Sequence, residues 1–118
     1  MQYLLLLYAN EKGWDALTPA QQQQGMAAYQ AYTEALQKAG AYVGGNRLQP
    51  VSTATTVRIA DGKSHVLDGP YAETKEQLGG YYLIEAPDLD AAIAWANRNP
   101  GASHGTIEVR PVWPTPKM

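Results

Sequence analysis

Charge and turn chemistry crowd into one short stretch of this chain. Asp68-Gly69-Pro70 leads into Tyr71-Ala72-Glu73-Thr74-Lys75-Glu76. A lysine held between carboxylates can serve as a tuned acid or an anion anchor. An aspartate at a pocket mouth can exchange a proton with a substrate. Asp68, Glu73 and Lys75 are therefore the candidate catalytic residues. A structural reading competes with this one. Aspartate accepts backbone hydrogen bonds, glycine takes positive φ and proline fixes the chain, and together they make a turn. The turn reading is the stronger one for Asp68. For the charged loop, self-ordering or sealing an interface is favoured over catalysis.

Arg47, Arg58 and Arg110 fall on three predicted strands. If they converge, their guanidinium groups can hold a carboxylate or phosphate. At a sheet edge they would instead pair with Glu85 or Glu108 and discourage aggregation. The sequence leaves both arrangements open. Arg47 and Arg110, with Tyr71, are the candidate substrate-binding residues. His65 and His104 are the only histidines. Neither has a partner at metal-ligand spacing, so no metal site is expected. There is no phosphate-cradling glycine loop and no nucleophile elbow, and no cofactor is expected. Eight tyrosines stand against no phenylalanine. Tyr29 and Tyr32 fit helix packing. Tyr3, Tyr8, Tyr81 and Tyr82 fall on strands, where they either pack or line a cleft for a partly apolar ligand.

The whole-chain numbers bound these readings. The 118 residues make one domain, 1–118, long enough to bury a core without staples. The absence of cysteine removes disulfides, thiolate metal sites and a thiol nucleophile. A net charge of -2 leaves no basic surplus for nucleic acid. The apolar run Tyr3 to Ala9 is far short of the ~20 residues of a membrane helix. It also lacks the basic flank of a signal peptide. No membrane partner is expected, and the expected location is the cytoplasm.

The elements that must position these residues follow from pattern. Gln2 to Tyr8 is a nearly continuous apolar run, the mark of a central strand covered on both faces. Asn10 to Leu17 reads as a polar connector carrying Trp14. Thr18-Pro19-Ala20-Gln21 is a capping box with proline at the first helical position. The helix it opens runs from about Pro19 to Ala39, with Met26, Tyr29, Thr33 and Leu36 as its buried stripe. Ala41 to Leu48 is a strand whose Gly44-Gly45 suggests a bulge or a close backbone approach. Thr53 to Ile59 and Lys63 to Leu67 form a hairpin about Asp61-Gly62. A turn-rich stretch extends to Gly79-Gly80, and Tyr81 to Ala86 is a strand. Asp88 caps a second helix with Leu89, Ala92, Ile93 and Ala96 on its buried face. Thr106 to Val112 is the last strand, and Trp113 to Pro116 an extended tail. Without the hairpin, the order β-α-β-β-α-β is a ferredoxin-like split βαβ plan.

The segment Asp68 to Glu85, DGPYAETKEQLGGYYLIE, resembles the signature of the YCII-related family, in particular its DGPF branch. Tyr3 to Tyr8, Leu48 to Pro50 with Thr53 to Arg58, and Ile107 to Val112 match in order. Tyr71 stands where the branch usually has phenylalanine, so its hydroxyl needs a partner or water. The resemblance implies a dimeric α+β barrel. Physical reasoning agrees, because two helices cover one face of a four-stranded sheet and the other needs a second subunit. Enzyme-like relatives carry a histidine on the first helix. This chain has Gln21 to Gln24 and Glu34 there, so that histidine–aspartate chemistry is not carried over. Two functions remain. One is a small-molecule binding protein or cofactor-independent enzyme, with a cleft beside the Asp68–Gly80 loop for an anionic or aromatic metabolite. The other is a non-catalytic interaction module, in line with the branch's frequent association with sigma factors.

Overall fold

A computed structural model describes residues 1–114. Strand β1 spans Gln2–Ala9, the short helix α1 Glu11–Asp15, helix α2 Pro19–Lys38 and strand β2 Tyr42–Arg47. Strands β3, Thr55–Ala60, and β4, Lys63–Asp68, form a separate ribbon. Strand β5 covers Gln77–Glu85, helix α3 Leu89–Arg98 and strand β6 Thr106–Pro111. The main sheet is antiparallel, in the order β2-β5-β1-β6. That is the ferredoxin-like order, with the ribbon inserted between its second and third strands. Apolar β1 is central, as its pattern requires. The tail expected over Trp113 to Pro116 lies partly outside the described residues.

Local chemistry explains the boundaries. Thr18 and Gln21 exchange side-chain-to-backbone hydrogen bonds of 3.2 and 2.9 Å, closing the capping box. The Asp88 carboxylate accepts from the Ala91 N–H at 2.9 Å and starts α3. Asp61 and Gly62 both have positive φ, 53° and 74°, which matches the right-handed twist of the ribbon they join.

The helices cover one face only. Tyr3, Leu5 and Ile84 are buried beneath Tyr32 and Leu36 of α2 and Ala92 and Ala96 of α3. On the opposite face, Leu4 lies beside Leu83 and Arg110, and Leu6 beside Tyr81 and Glu108, with no layer formed by the described residues above them. The molecule is accordingly only 19 Å thick. Its radius of gyration is 16.4 Å. A compact chain of this length has about 13 Å. The excess comes from a flat sheet and a projecting ribbon.

Four expectations need correction. Asn10 to Leu17 is no bare connector, because Asn10 caps α1 by accepting from the Lys12 N–H. Leu89 and Ile93 are exposed, and the inner face of α3 is Ala92, Trp95 and Ala96. Met26 is likewise exposed, and Tyr32 and Leu36 are the buried residues of α2. Strand β5 begins at Gln77, so Gly79 and Gly80 belong to it. Hydrophobic spacing identifies a helix, but the layer beneath it decides which residues of a broad apolar face are covered.

Candidate functional site

Two bulges set the directions of the charged side chains. Val43 is an extra residue in β2, between the Tyr42–Ile84 and Gly44–Leu83 pairs. It shifts the alternation, so Gly45 and Arg47 share the helix-covered face with Tyr42 and Tyr82. Gly79 is likewise extra in β5, which puts Leu78 beside Tyr8 on the bare face. Arg47 and Arg110 therefore lie on opposite faces of one sheet and do not converge. Arg58 is on the ribbon, away from both.

A groove of about 400 Å³ runs along α2, lined by Gln23, Met26, Ala27, Tyr29, Gln30 and Thr33. Arg47 reaches from β2 to Met26 at its edge. The guanidinium carbon stands 4.8 Å from the centroid of the Trp14 ring, and Nη1 is 3.6 Å from the Met26 sulfur. A thioether is a weak acceptor. Among the described residues, no carboxylate pairs with Arg47. The cation is held by an aromatic face and keeps its remaining donors.

Helix α1 exists to hold that face. The Glu11 carboxylate accepts from the Val51 N–H at 2.9 Å, and the Glu11 N–H donates to Gln77 Oε1 at 3.0 Å. Gln22 Nε2 donates to the Trp14 carbonyl at 3.1 Å. Gly25 then lets the indole close on α2, since a Cβ there would stand 3.0 Å from Trp14 Cζ3.

Behind the groove, Thr33 is tied to the sheet by a phenol hydroxyl. Tyr82 Oη and Thr33 Oγ1 are 3.0 Å apart, and Thr33 Oγ1 also donates to the Tyr29 carbonyl at 3.0 Å. Tyr82 packs edge-on against Tyr32 and Tyr42. Burial pushes the Tyr29 and Tyr82 phenols above their ordinary value, so both remain neutral donors. An arginine stacked on a ring beside the groove, with no carboxylate on it, suits a planar anion.

The bare face carries a second polar group. Arg110 Nη2 donates to Glu108 Oε2 at 2.6 Å, and the Tyr8 hydroxyl donates to Glu108 Oε1 at 3.3 Å. The Arg110 hydrogen bond holds the Glu108 carboxyl below the usual carboxylate range. Arg110 is thus neutralised by its own strand neighbour, unlike Arg47. Asn46 Nδ2 donates to the Tyr81 hydroxyl at 2.9 Å on the same face.

The loop residues are less engaged. Asp68, Glu73 and Lys75 are all exposed. None of their side chains enters a hydrogen bond or ion pair recorded for the described residues. The loop is ordered by its neighbours. Glu76 Oε1 accepts from Thr106 Oγ1 at 2.7 Å, and Gln77 Nε2 donates to the Thr74 carbonyl at 2.8 Å. Tyr71 is 84% exposed, so its hydroxyl reaches water. Beside it lies a cleft of about 460 Å³ that includes Arg58, His65, Leu67 and Pro70. His104 caps the turn after α3. Sequence reasoning placed Trp14 in a connector and Tyr29 in packing. The capping residue Asn10 was the one local signal for the helix that presents Trp14.

Fold and groove together define a small α+β protein of ferredoxin-like order with a shallow groove along its first long helix. The family model for the YCII-related domain matches residues 1–116, and the chain belongs to that family. An uncharacterised protein of Rhizobium meliloti (strain 1021) is 39% identical over 116 residues, covering 95% of this chain and 92% of that one. Among solved structures, 5-chloro-2-hydroxyhydroquinone dehydrochlorinase (TftG) from Burkholderia phenoliruptrix AC1100, in complex with 2,5-dihydroxybenzoquinone, superposes with a TM-score of 0.56. The overlap covers 96% of this chain and 94% of that one at 16% identity, a likeness of fold. No helix among the described residues is long and apolar enough to cross a membrane.

Proposed function

We propose that this protein binds a small planar anion in the α2 groove, as a metabolite-binding protein or an enzyme without a cofactor. The observation that carries this reading is Arg47, a cation stacked on Trp14 at the groove's edge with no carboxylate of the described residues beside it. Gln23 and Gln30 supply further hydrogen-bonding groups along the groove. The structurally similar dehydrochlorinase was solved with a flat, oxygen-bearing ring, which is the class of molecule this groove suits.

The test is a titration with 2,5-dihydroxybenzoquinone, followed by the Trp14 indole N–H resonance and by thermal unfolding. Saturating ligand at 100 times its dissociation constant adds about 2.7 kcal/mol of stability. The expected result is a saturable shift at Trp14 that Arg47→Gln removes. No shift at Trp14, or one that Arg47→Gln leaves unchanged, overturns the groove as the site. If no ring-bearing anion binds at all, capture of a protein partner becomes the leading function.

We also infer that the chain pairs with a second copy through the bare sheet face. Leu4, Leu6, Leu78, Tyr81 and Leu83 lie there without a covering layer among the described residues. On the ribbon, Val57, Ile59 and Val66 are 61%, 71% and 61% exposed. Apolar surface on this scale marks an interaction site. Light scattering should return twice the 12.8 kDa chain mass. A monomer at all working concentrations overturns the inference.

A further inference from the structure

The β3–β4 ribbon has two chemically different faces. Thr55–Asp68, Val57–Val66 and Ile59–Ser64 are opposed pairs on one face, and this face is apolar through its middle. Thr56–Leu67, Arg58–His65 and Ala60–Lys63 make up the other. Arg58 and His65 thus stand side by side across the strands, with Lys63 one pair beyond. Arg58 and Lys63 are diagonal neighbours on this face, two positive charges with no acid of these strands beside them. Asp68, the nearest acid on these strands, belongs to the other face. Among the described residues, neither Arg58 nor Lys63 enters an ion pair. The face leaves both cations without an acid of these strands, and an incoming anion would supply one.

The turn after β4 shapes the basic face into a cleft. Gly69 has a φ of 118°, a conformation open to glycine and strained for other residues. Its N–H donates to the Ala54 carbonyl at 2.7 Å, and its carbonyl accepts from Thr56 Oγ1 at 2.8 Å. These two bonds pin the start of the loop to β3. Pro70 and Tyr71 then wall a space of about 460 Å³ whose other sides include Thr56, Arg58, His65 and Leu67. The site combines an arginine fork, an imidazole donor, an aromatic ring and an aliphatic floor. With a chain charge of -2, the surface as a whole does not attract a polyanion.

We propose that this cleft binds a small aromatic carboxylate. The carboxylate sits on the Arg58 fork with His65 as second donor, and the ring lies between Tyr71 and Leu67. This site is separate from the α2 groove and does not depend on it. It also gives the Asp68-Gly69-Pro70-Tyr71 segment a task that Asp68 alone does not supply.

The experiment is a benzoate titration of the 15N-labelled protein, read residue by residue. Acetate and benzyl alcohol are the controls for the charge and the ring alone. The expected result is a saturable shift at residues 56–58, 65–67 and 71, weakened about tenfold by Arg58→Gln and by Tyr71→Ala. Arg47→Gln should leave those resonances titrating as before. Arg58 and Tyr71 are both exposed, so unchanged spectra elsewhere will show that the variants fold. An absent or non-saturable ribbon shift overturns the proposal. So does a shift that Arg58→Gln preserves, or one that acetate reproduces in full. Shifts at Trp14 and Tyr29 report the groove independently, so failure of one site does not obscure the other.

Discussion

The guanidinium of Arg47 lies 4.8 Å above the ring of Trp14, joining the inner end of β2 to the helix that precedes α2. A cation over an indole is attracted by about 0.5–2 kcal/mol, more as water is excluded. Trp14→Ala should therefore loosen Arg47 and weaken binding in the groove by about tenfold. Trp14→Phe, which keeps a ring, should recover most of the loss. The check is the dissociation constant of 2,5-dihydroxybenzoquinone in the three proteins. Equal weakening by Ala and Phe would separate binding from the stacking interaction.

The Trp14 seat supplies a second prediction. Glycine inside a helix costs roughly 0.5–1 kcal/mol relative to alanine. A Cβ at Gly25 would stand 3.0 Å from Trp14 Cζ3, at the far end of a side chain on a five-residue helix. That ring can move. Gly25→Ala should then hold or slightly raise the unfolding midpoint while weakening the ligand, because Trp14 no longer lies under Arg47. Calorimetry beside a binding titration separates the two effects. A loss of stability with binding intact would show the indole to be fixed.

The sequence held much of this fold in plain view. Thr18-Pro19-Ala20-Gln21, Asp61-Gly62 and Asp88 each name their own structure, because capping and tight turns depend on neighbours within three residues. The directions of Arg47 and Arg110 were not legible. Side chains alternate along a strand, and one extra residue reverses all that follow. The bulge at Val43 does this to Arg47, and nothing local to Val43 announces it. Glycines at 44 and 45 hinted at irregularity without fixing its place. Trp14 escaped for a related reason. Helix α1 is only five residues long, below the length at which periodicity can speak, and tertiary contacts through Glu11 and Gln22 hold it.

Tyr32 predicts how the protein fails in alkali. Its hydroxyl donates to the Trp95 carbonyl at 2.8 Å, and burial pushes its pKa up to about 12 from 10.0. A phenol whose pKa is higher in the folded state contributes stability fully below its unfolded value. That contribution is lost as pH rises through the folded value. Stability should hold to about pH 10 and fall between about 10 and 12, with the raised phenols of Tyr29 and Tyr82 adding to the slope. Tyr32→Phe should cost about 1–3 kcal/mol at neutral pH, since the half-buried Trp95 carbonyl loses its donor. The same substitution should flatten the alkaline slope. Chemical denaturation at pH 7, 10 and 11.5 tests both expectations, and an unchanged slope in the variant would assign the alkaline loss to other groups.

Two pairs of glycines should behave oppositely. At Gly45 a Cβ would stand 2.8 Å from the Tyr81 carbonyl oxygen, where β2 approaches β5. At Gly105 it would run into the Tyr8 carbonyl oxygen and stand 3.1 Å from Ala9 Cα, where the chain enters β6 beside β1. Neither neighbour can swing aside, because both are backbone in a sheet. Forcing atoms into such a site costs about 1–3 kcal/mol, and more where the backbone must part. Gly45→Ala should therefore lower the unfolding midpoint by several degrees, and Gly105→Ala should lower it further. Gly44 and Gly79 have nothing within 4 Å of a Cβ and no positive φ. Alanine at either should change stability by no more than about 0.5 kcal/mol. The four unfolding curves can be measured together. A large loss at Gly79 would mean that its bulge needs glycine itself. The turn of Leu78 toward the bare face would then depend on that residue.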